Sequence, residues 1–192
     1  MVNIPEKLFW RNYEAPRPVE KELWDLVAKA HDRSAHRGNV SSVMVEACAQ
    51  AAGDYTKAIA GALATLGKKH APLVQTMALL NAPDPAEEAR VLLSNGGTVP
   101  GWGNSFHKGV PDPEWREVAS FIHKNFPFLS EKIQAVETVL WANGRMIYPN
   151  PSTYTAALAI VLGMPDDLAP SLFVTMRLNA WSEIFWRSFS RG

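Results

Sequence analysis

At 192 residues with 47% hydrophobic content, the chain is sized for one domain and can bury a real core without metal or disulfide staples. Its 19 Lys and Arg balance 19 Asp and Glu, so no global field recruits nucleic acid or an anionic membrane. The one cysteine, Cys48, cannot close an internal disulfide and reads as a small buried core residue, which fits a reducing, cytoplasmic setting.

Residues 1–18 carry Pro5, Pro16 and Pro18 among mixed charges and read as an extended arm. The first 13 residues lack the apolar core of a signal peptide, and no apolar stretch approaches the ~20 residues of a membrane span. In 19–30, Val19, Leu23, Leu26, Val27 and Ala30 share one face of a helix. An Ala- and Val-rich helix follows over 41–53, and Asp54 caps the next, 55–66, which Gly67 ends. Small residues dominate this pair, so the axes can approach closely, and helices apolar all round must be covered all round. Either a second subunit covers them, giving a homodimer through 41–66, or they form a buried hairpin within the chain.

A helix is expected over 72–81, and another over 85–93 with Asp84 as cap and Pro85 at its first position. Asn95, Gly96 and Gly97 stop it, and 98–113 is a loop dense in Gly and Pro. Helices follow over 114–125 and 130–143, the second capped by Ser130. A Pro-containing turn at 148–152 leads into a helix over 153–162 that Gly163 ends, and 165–190 is mostly helical and rich in Phe and Trp. No strand pattern or repeat interrupts this series, so the fold class is all-α.

Four segments place polar groups in loops or at helix starts, where function concentrates. They are His36-Arg37-Gly38-Asn39-Val40-Ser41, Leu66-Gly67-Lys68-Lys69-His70, Val99-Pro100-Gly101-Trp102-Gly103-Asn104-Ser105-Phe106-His107-Lys108, and Ile147-Tyr148-Pro149-Asn150-Pro151-Ser152-Thr153-Tyr154. His70 follows a Gly stop and precedes Pro72, and backbone N–H groups at a helix N-terminus favour a neutral imidazole that can donate to an oxyanion. Two glycines flank Trp102, so that backbone can approach a ligand closely.

In order and spacing these segments, with Leu162-Gly163-Met164-Pro165 and Arg177-Leu178-Asn179-Ala180-Trp181, resemble the citrate synthase family from about His36 to Trp186. The resemblance implies a citrate synthase-like helical fold in one domain, the C-terminal portion of the large domain plus the small domain. The large-domain part would take about 19–70 and 155–192, and the small-domain part about 71–154. It implies a condensing acyl-CoA transferase or citryl-CoA-type lyase acting on a small carboxylic acid. His70 would stabilise the enol, and His36 and Asn39 would contact the acid. Arg177 would clamp its carboxylate, and Val99, Pro100, Gly101, Trp102 and Gly103 would hold coenzyme A through their backbone.

Three positions depart from the pattern. The family's loop histidine falls on Asn104, which can still donate a hydrogen bond, with His107 three residues on as a substitute. The general base falls on Ser152, whose hydroxyl cannot take a proton near neutral pH without a base of its own. An arginine clamp also falls on Glu114, with Arg116 two residues on, and Asp112 or Glu114 could serve as base for another substrate. The implied function is therefore a family member with a degenerate site, or a non-catalytic homologue that binds CoA or a carboxylate. No zinc-binding spacing, phosphate-binding Gly-rich loop or nucleophile elbow points to other chemistry.

Overall fold

The computed structural model describes residues 16–35 and 38–190. Of the expected arm 1–18, residues 1–15 lie outside them, as do His36 and Arg37, and Pro18 already belongs to the first described helix. Among the described residues the chain is helical: α1 (Pro18–Arg33), α2 (Val40–Ala52), α3 (Tyr55–Ala64), α4 (Leu73–Asn81), α5 (Pro85–Ser94), α6 (Arg116–Asn125), α7 (Pro127–Ala142), α8 (Pro151–Val161) and α9 (Ala169–Phe189). Short 3-10 turns at Pro113–Trp115 and Asp166–Leu168 precede α6 and α9. No helix among these residues is long and apolar enough to cross a membrane.

Local chemistry sets most boundaries. Asp54 and Asp84 accept the backbone N–H of Lys57 and Glu87, each at 3.0 Å, which caps α3 and α5. Gly53 ends α2 in the left-handed conformation. The expected cap at Ser130 is not one. Pro127 takes the first position of α7, where its missing N–H costs nothing. Ser130 lies inside the helix, and its hydroxyl meets His123 Nδ1 at 3.0 Å, tying α6 to α7.

Helix α8 is the axle of the molecule. Every residue from Ser152 to Ala159 is buried, because α4, α1 and α9 pack around it. That explains a segment apolar on all sides. An aromatic layer surrounds its start: Trp115 stacks on Tyr154 at 5.3 Å, and His31 sits edge-on to Trp115 at 5.0 Å and to Phe173 at 4.9 Å. The first turn of α8 is thus pinned by rigid rings.

A smaller core unites α2, α3 and α9 through Val45, Ala49, Ala58, Ala62, Trp181 and Phe185. Cys48 is only half buried there, so it lines this core without being enclosed. A Cβ on Gly61 would lie 3.1 Å from Cys48 Sγ, so the close approach of α2 and α3 depends on that glycine. The hairpin is covered by α9 on one side only: Val43, Met44 and Leu63 remain exposed.

Candidate functional site

A cavity of about 1150 Å³ opens between the start of α8, the loop after α5, the turn before α4 and the buried face of α9. One wall is made of backbone. Gly103 N–H donates to the Tyr148 carbonyl at 2.8 Å, and Asn150 N–H donates to the Gly101 carbonyl at 2.8 Å. The Asn150 side chain donates to the Gly103 carbonyl at 2.9 Å while its carbonyl oxygen caps α8 by accepting from Ser152 N–H at 2.8 Å. The Thr153 hydroxyl donates to the Gly101 carbonyl. Segments 99–104 and 148–153 are therefore one braced unit. Gly101 holds φ of 90°, and a Cβ there would come within 2.6 Å of both Thr153 and Thr76. Only glycine fits.

The deep end is made of side chains. Arg177, 2% exposed, projects from α9 into the cavity wall. Its Nη1 donates to the His31 carbonyl at 2.8 Å, its Nη2 to Ser34 Oγ at 3.3 Å, and its guanidinium carbon lies 5.6 Å from the Phe173 ring centre. Burial lowers its pKa to about 10, so it stays charged at neutral pH. Its direct partners are neutral, its Nε has none, and no carboxylate among the described residues comes within ion-pair distance of it. The Asp32 and Asp112 carboxylates act on it only from beyond that distance, so a buried guanidinium with only neutral hydrogen-bond partners is left to face the cavity.

His70 stands in a tight turn in which Gly67 N–H donates to the His70 carbonyl at 2.7 Å and His70 N–H returns to the Gly67 carbonyl at 3.1 Å. The next residue, Ala71, has φ of 57°, a left-handed conformation that strains a side-chain-bearing residue. His70 Nε2 lies 3.4 Å from Ser41 Oγ, which also reaches Asn39 Oδ1 at 3.1 Å. The one Ser41 hydroxyl proton goes to Asn39 Oδ1, so the contact to His70 is made by Nε2–H donating to Ser41 Oγ. The imidazole pKa is lowered first by burial and second by the Arg177 charge, so the ring is neutral at pH 7. The sequence pointed to a helix N-terminus as the cause; the structure gives burial and the guanidinium.

At the third side, Asp112 lines the cavity and is 5% exposed. It accepts from Asn104 Nδ2 at 2.9 Å and from Glu114 N–H at 3.0 Å, and His107 Nε2 lies 3.5 Å away. Ser152 is buried and lines the cavity at the head of α8. Phe106 crosses the mouth, where a Cβ on Gly38 would meet its ring at 3.0 Å.

A family model for the citrate synthase C-terminal domain matches residues 6–187. This chain belongs to the citrate synthase family. Solved structures share its fold. Citryl-CoA lyase from Hydrogenobacter thermophilus superposes with a TM-score of 0.80 at 14% identity, over 98% of this chain and 77% of the lyase. Citrate synthase from Thermotoga maritima MSB8 does so at 0.75 and 21% identity, over 93% of this chain and 51% of the synthase. ATP citrate lyase from Methanothrix soehngenii, solved with citrate and coenzyme A, gives 0.77 and 16%, over 95% of this chain and 33% of the lyase. The chain thus spans about three quarters, a half and a third of these relatives. No curated protein matches it in sequence.

Of the positions singled out by the family pattern, the cavity gathers Asn39, His70, Val99, Pro100, Gly101, Trp102, Gly103, Asn104, Ser152 and Arg177 on its lining. His36 lies outside the described residues. His107 is not on the lining; it stands behind Asp112. Glu114 and Arg116 are also off the lining. Sequence reading missed Ser34 and Phe173, which hold Arg177, and Ser41, which holds His70. Ser41 was visible within the first motif, but only its distance to His70 gives it a role. Among the described residues no three His, Cys, Asp or Glu side chains group to hold a metal.

Proposed function

We propose that this cavity binds a coenzyme A thioester against a small carboxylic acid, in a citrate synthase-family site that has lost its proton-abstracting carboxylate. One observation carries the reading: Arg177, a buried cation whose hydrogen-bond partners are all neutral, shares a cavity with a neutral imidazole at His70 and a backbone wall at 99–103, while a serine heads α8. The acid's carboxylate would lie on Arg177, whose fork matches it. His70 would face the thioester carbonyl, the nucleotide would lie on the 99–103 backbone, and Asn104 would donate to the acid. The division into a large-domain part (about 19–70 and 155–192) and a small-domain part (about 71–154) would put this cavity between the two.

Ser152 cannot remove a methyl proton, a step worth roughly 10²–10⁴ in rate. The standard condensation of acetyl-CoA with oxaloacetate is therefore expected to stop at binding. Calorimetry tests the binding half: CoA and a dicarboxylate should each give saturable heat, and silence with both at millimolar concentration sinks the proposal. A second reading, condensation or citryl-CoA-type cleavage on a different acid, is favoured by Asp112, a carboxylate on the same lining. Turnover abolished by Asp112→Asn with binding intact would select it.

The partner proposal is a homodimer. Val43, Met44 and Leu63 on the α2–α3 hairpin and Trp186 and Phe189 near the end of α9 are exposed apolar side chains bordering the smaller core. Sedimentation at micromolar concentration should give twice the chain mass; a single-chain mass removes this part.

A further inference from the structure

We propose that Lys68 and Lys69 form an oxyanion clamp at the cavity mouth, holding a phosphate or carboxylate of the ligand whose reacting end lies at His70. This rests on the reading of the cavity as an acyl-CoA and carboxylate site, and it assigns two residues that the catalytic pattern leaves without work.

Both lysines line the cavity and both are solvent-exposed. Among the described residues neither forms an ion pair, whereas Lys21, Lys29 and Lys57 each face a carboxylate within 4.0 Å and Lys132 is spent on the carbonyls of Leu80 and Ala82. The pair is also presented on a stiff support. They occupy the two corner positions of the Gly67–His70 turn, whose ends are joined by reciprocal backbone hydrogen bonds. Ala71 in its left-handed conformation, Pro72 behind it and the Ser41 contact to the imidazole fix the base of that turn. Two ammonium groups are thus held one and two residues from the neutral histidine.

Charge and depth divide the work. Among the described residues the lining carries one deep cation, Arg177, and these two at the mouth, against the carboxylates of Asp112 and Glu88. Asp112 is already engaged by Asn104 and by the Glu114 backbone. A ligand with one anionic end on Arg177 would therefore present its remaining negative charge to Lys68 and Lys69. A lysine suits this position as a mobile point charge that does not demand the planar geometry of a guanidinium.

The test is calorimetric titration of the wild-type chain and of the Lys68→Ala/Lys69→Ala double variant with CoA, with pantetheine (which has the thiol arm but no phosphate) and with citrate, each at two salt concentrations. An exposed ammonium about 4 Å from an anion is worth roughly fivefold in affinity, so the pair should contribute about thirtyfold at low salt and less at high salt. A loss of that size for CoA but not for pantetheine identifies a phosphate as the group held. The same loss for citrate identifies a carboxylate. A double variant that binds CoA and citrate as tightly as wild type, with an unchanged salt dependence, overturns the clamp while leaving the cavity's assignment standing. Wild type that binds none of the three ligands overturns that assignment and the clamp with it. Circular dichroism of the variant should match wild type, since both side chains are exposed.

Discussion

Two sides of one cavity are built on different principles. The wall at 99–104 and 148–153 is backbone clipped to backbone, and its specificity lies in where carbonyls and N–H groups point. The deep end is side chains: a guanidinium, an imidazole, a carboxylate and a serine. Side-chain identity along the wall can drift as long as glycine stays where a Cβ would collide, so Trp102 and Pro151 sit in an intact frame. At the deep end one substitution can remove a chemical step while leaving the shape alone, which is the role proposed for Ser152. On that proposal the pocket keeps its ligand while losing its reaction.

The contrast can be broken first at the wall. Gly101→Ala forces a Cβ within 2.6 Å of Thr153 and Thr76 at a φ of 90°. It should cost about 2–5 kcal/mol by urea denaturation, combining overpacking with backbone strain, and should abolish CoA binding. A loss below about 1 kcal/mol would mean that the wall is pliable. At the deep end, Arg177→Met should lower dicarboxylate affinity about 100-fold, within the range for losing a buried charged partner, while CoA affinity stays near wild type. Stability should fall little, because a buried cation whose hydrogen-bond partners are all neutral is replaced by an apolar side chain of similar length. Loss of folding in Arg177→Met would recast that residue as structural.

The pH dependence of stability sharpens the same contrast. His31, buried behind Arg177 with Nε2 2.8 Å from Thr155 Oγ1, has its pKa lowered well below 6.5, by burial first and by Arg177 second. Below about pH 6.5 the unfolded chain binds a proton that the folded chain refuses, so stability should fall as pH drops through that region. Glu137 on α7 is the opposite case: burial raises its pKa from 4.5 to about 7. Between those values the folded chain holds a proton that the unfolded chain releases, so stability should fall as pH rises through that window. Glu137→Gln should raise Tm above pH 7 and leave it unchanged near pH 4.5; equal effects at both ends would refute the burial argument. The smallest effect expected is at the turn before α4. Ala71→Gly relieves left-handed strain but frees the unfolded chain, for a net gain of no more than about 1 kcal/mol in denaturant titration.

Much of this was legible in the sequence where the cause is local. Asp54 and Asp84 mark helix starts because a cap needs only its neighbours. The start of α7 was misjudged because Pro127 at a first helical position competes with Ser130 as a start signal, and nothing in a short window ranks them. The meeting of 66–70, 99–104, 148–153 and Arg177 is a long-range fact, readable only through resemblance to a family. What no pattern carries is the electrostatic condition of the site. That Arg177 hydrogen-bonds only to neutral groups, or that Glu114 is not on the cavity lining, depends on groups far apart along the chain.

The most direct measurement is CoA release from acetyl-CoA and oxaloacetate by wild type and by Ser152→Asp, with binding of both ligands checked for each. Wild type is expected to bind without detectable release, and the restored carboxylate to raise the rate by about 10²–10⁴. Wild-type release at the rate of an ordinary synthase, or a folded Ser152→Asp chain that binds both ligands and stays inert, would contradict the loss of the base as the reason for silence.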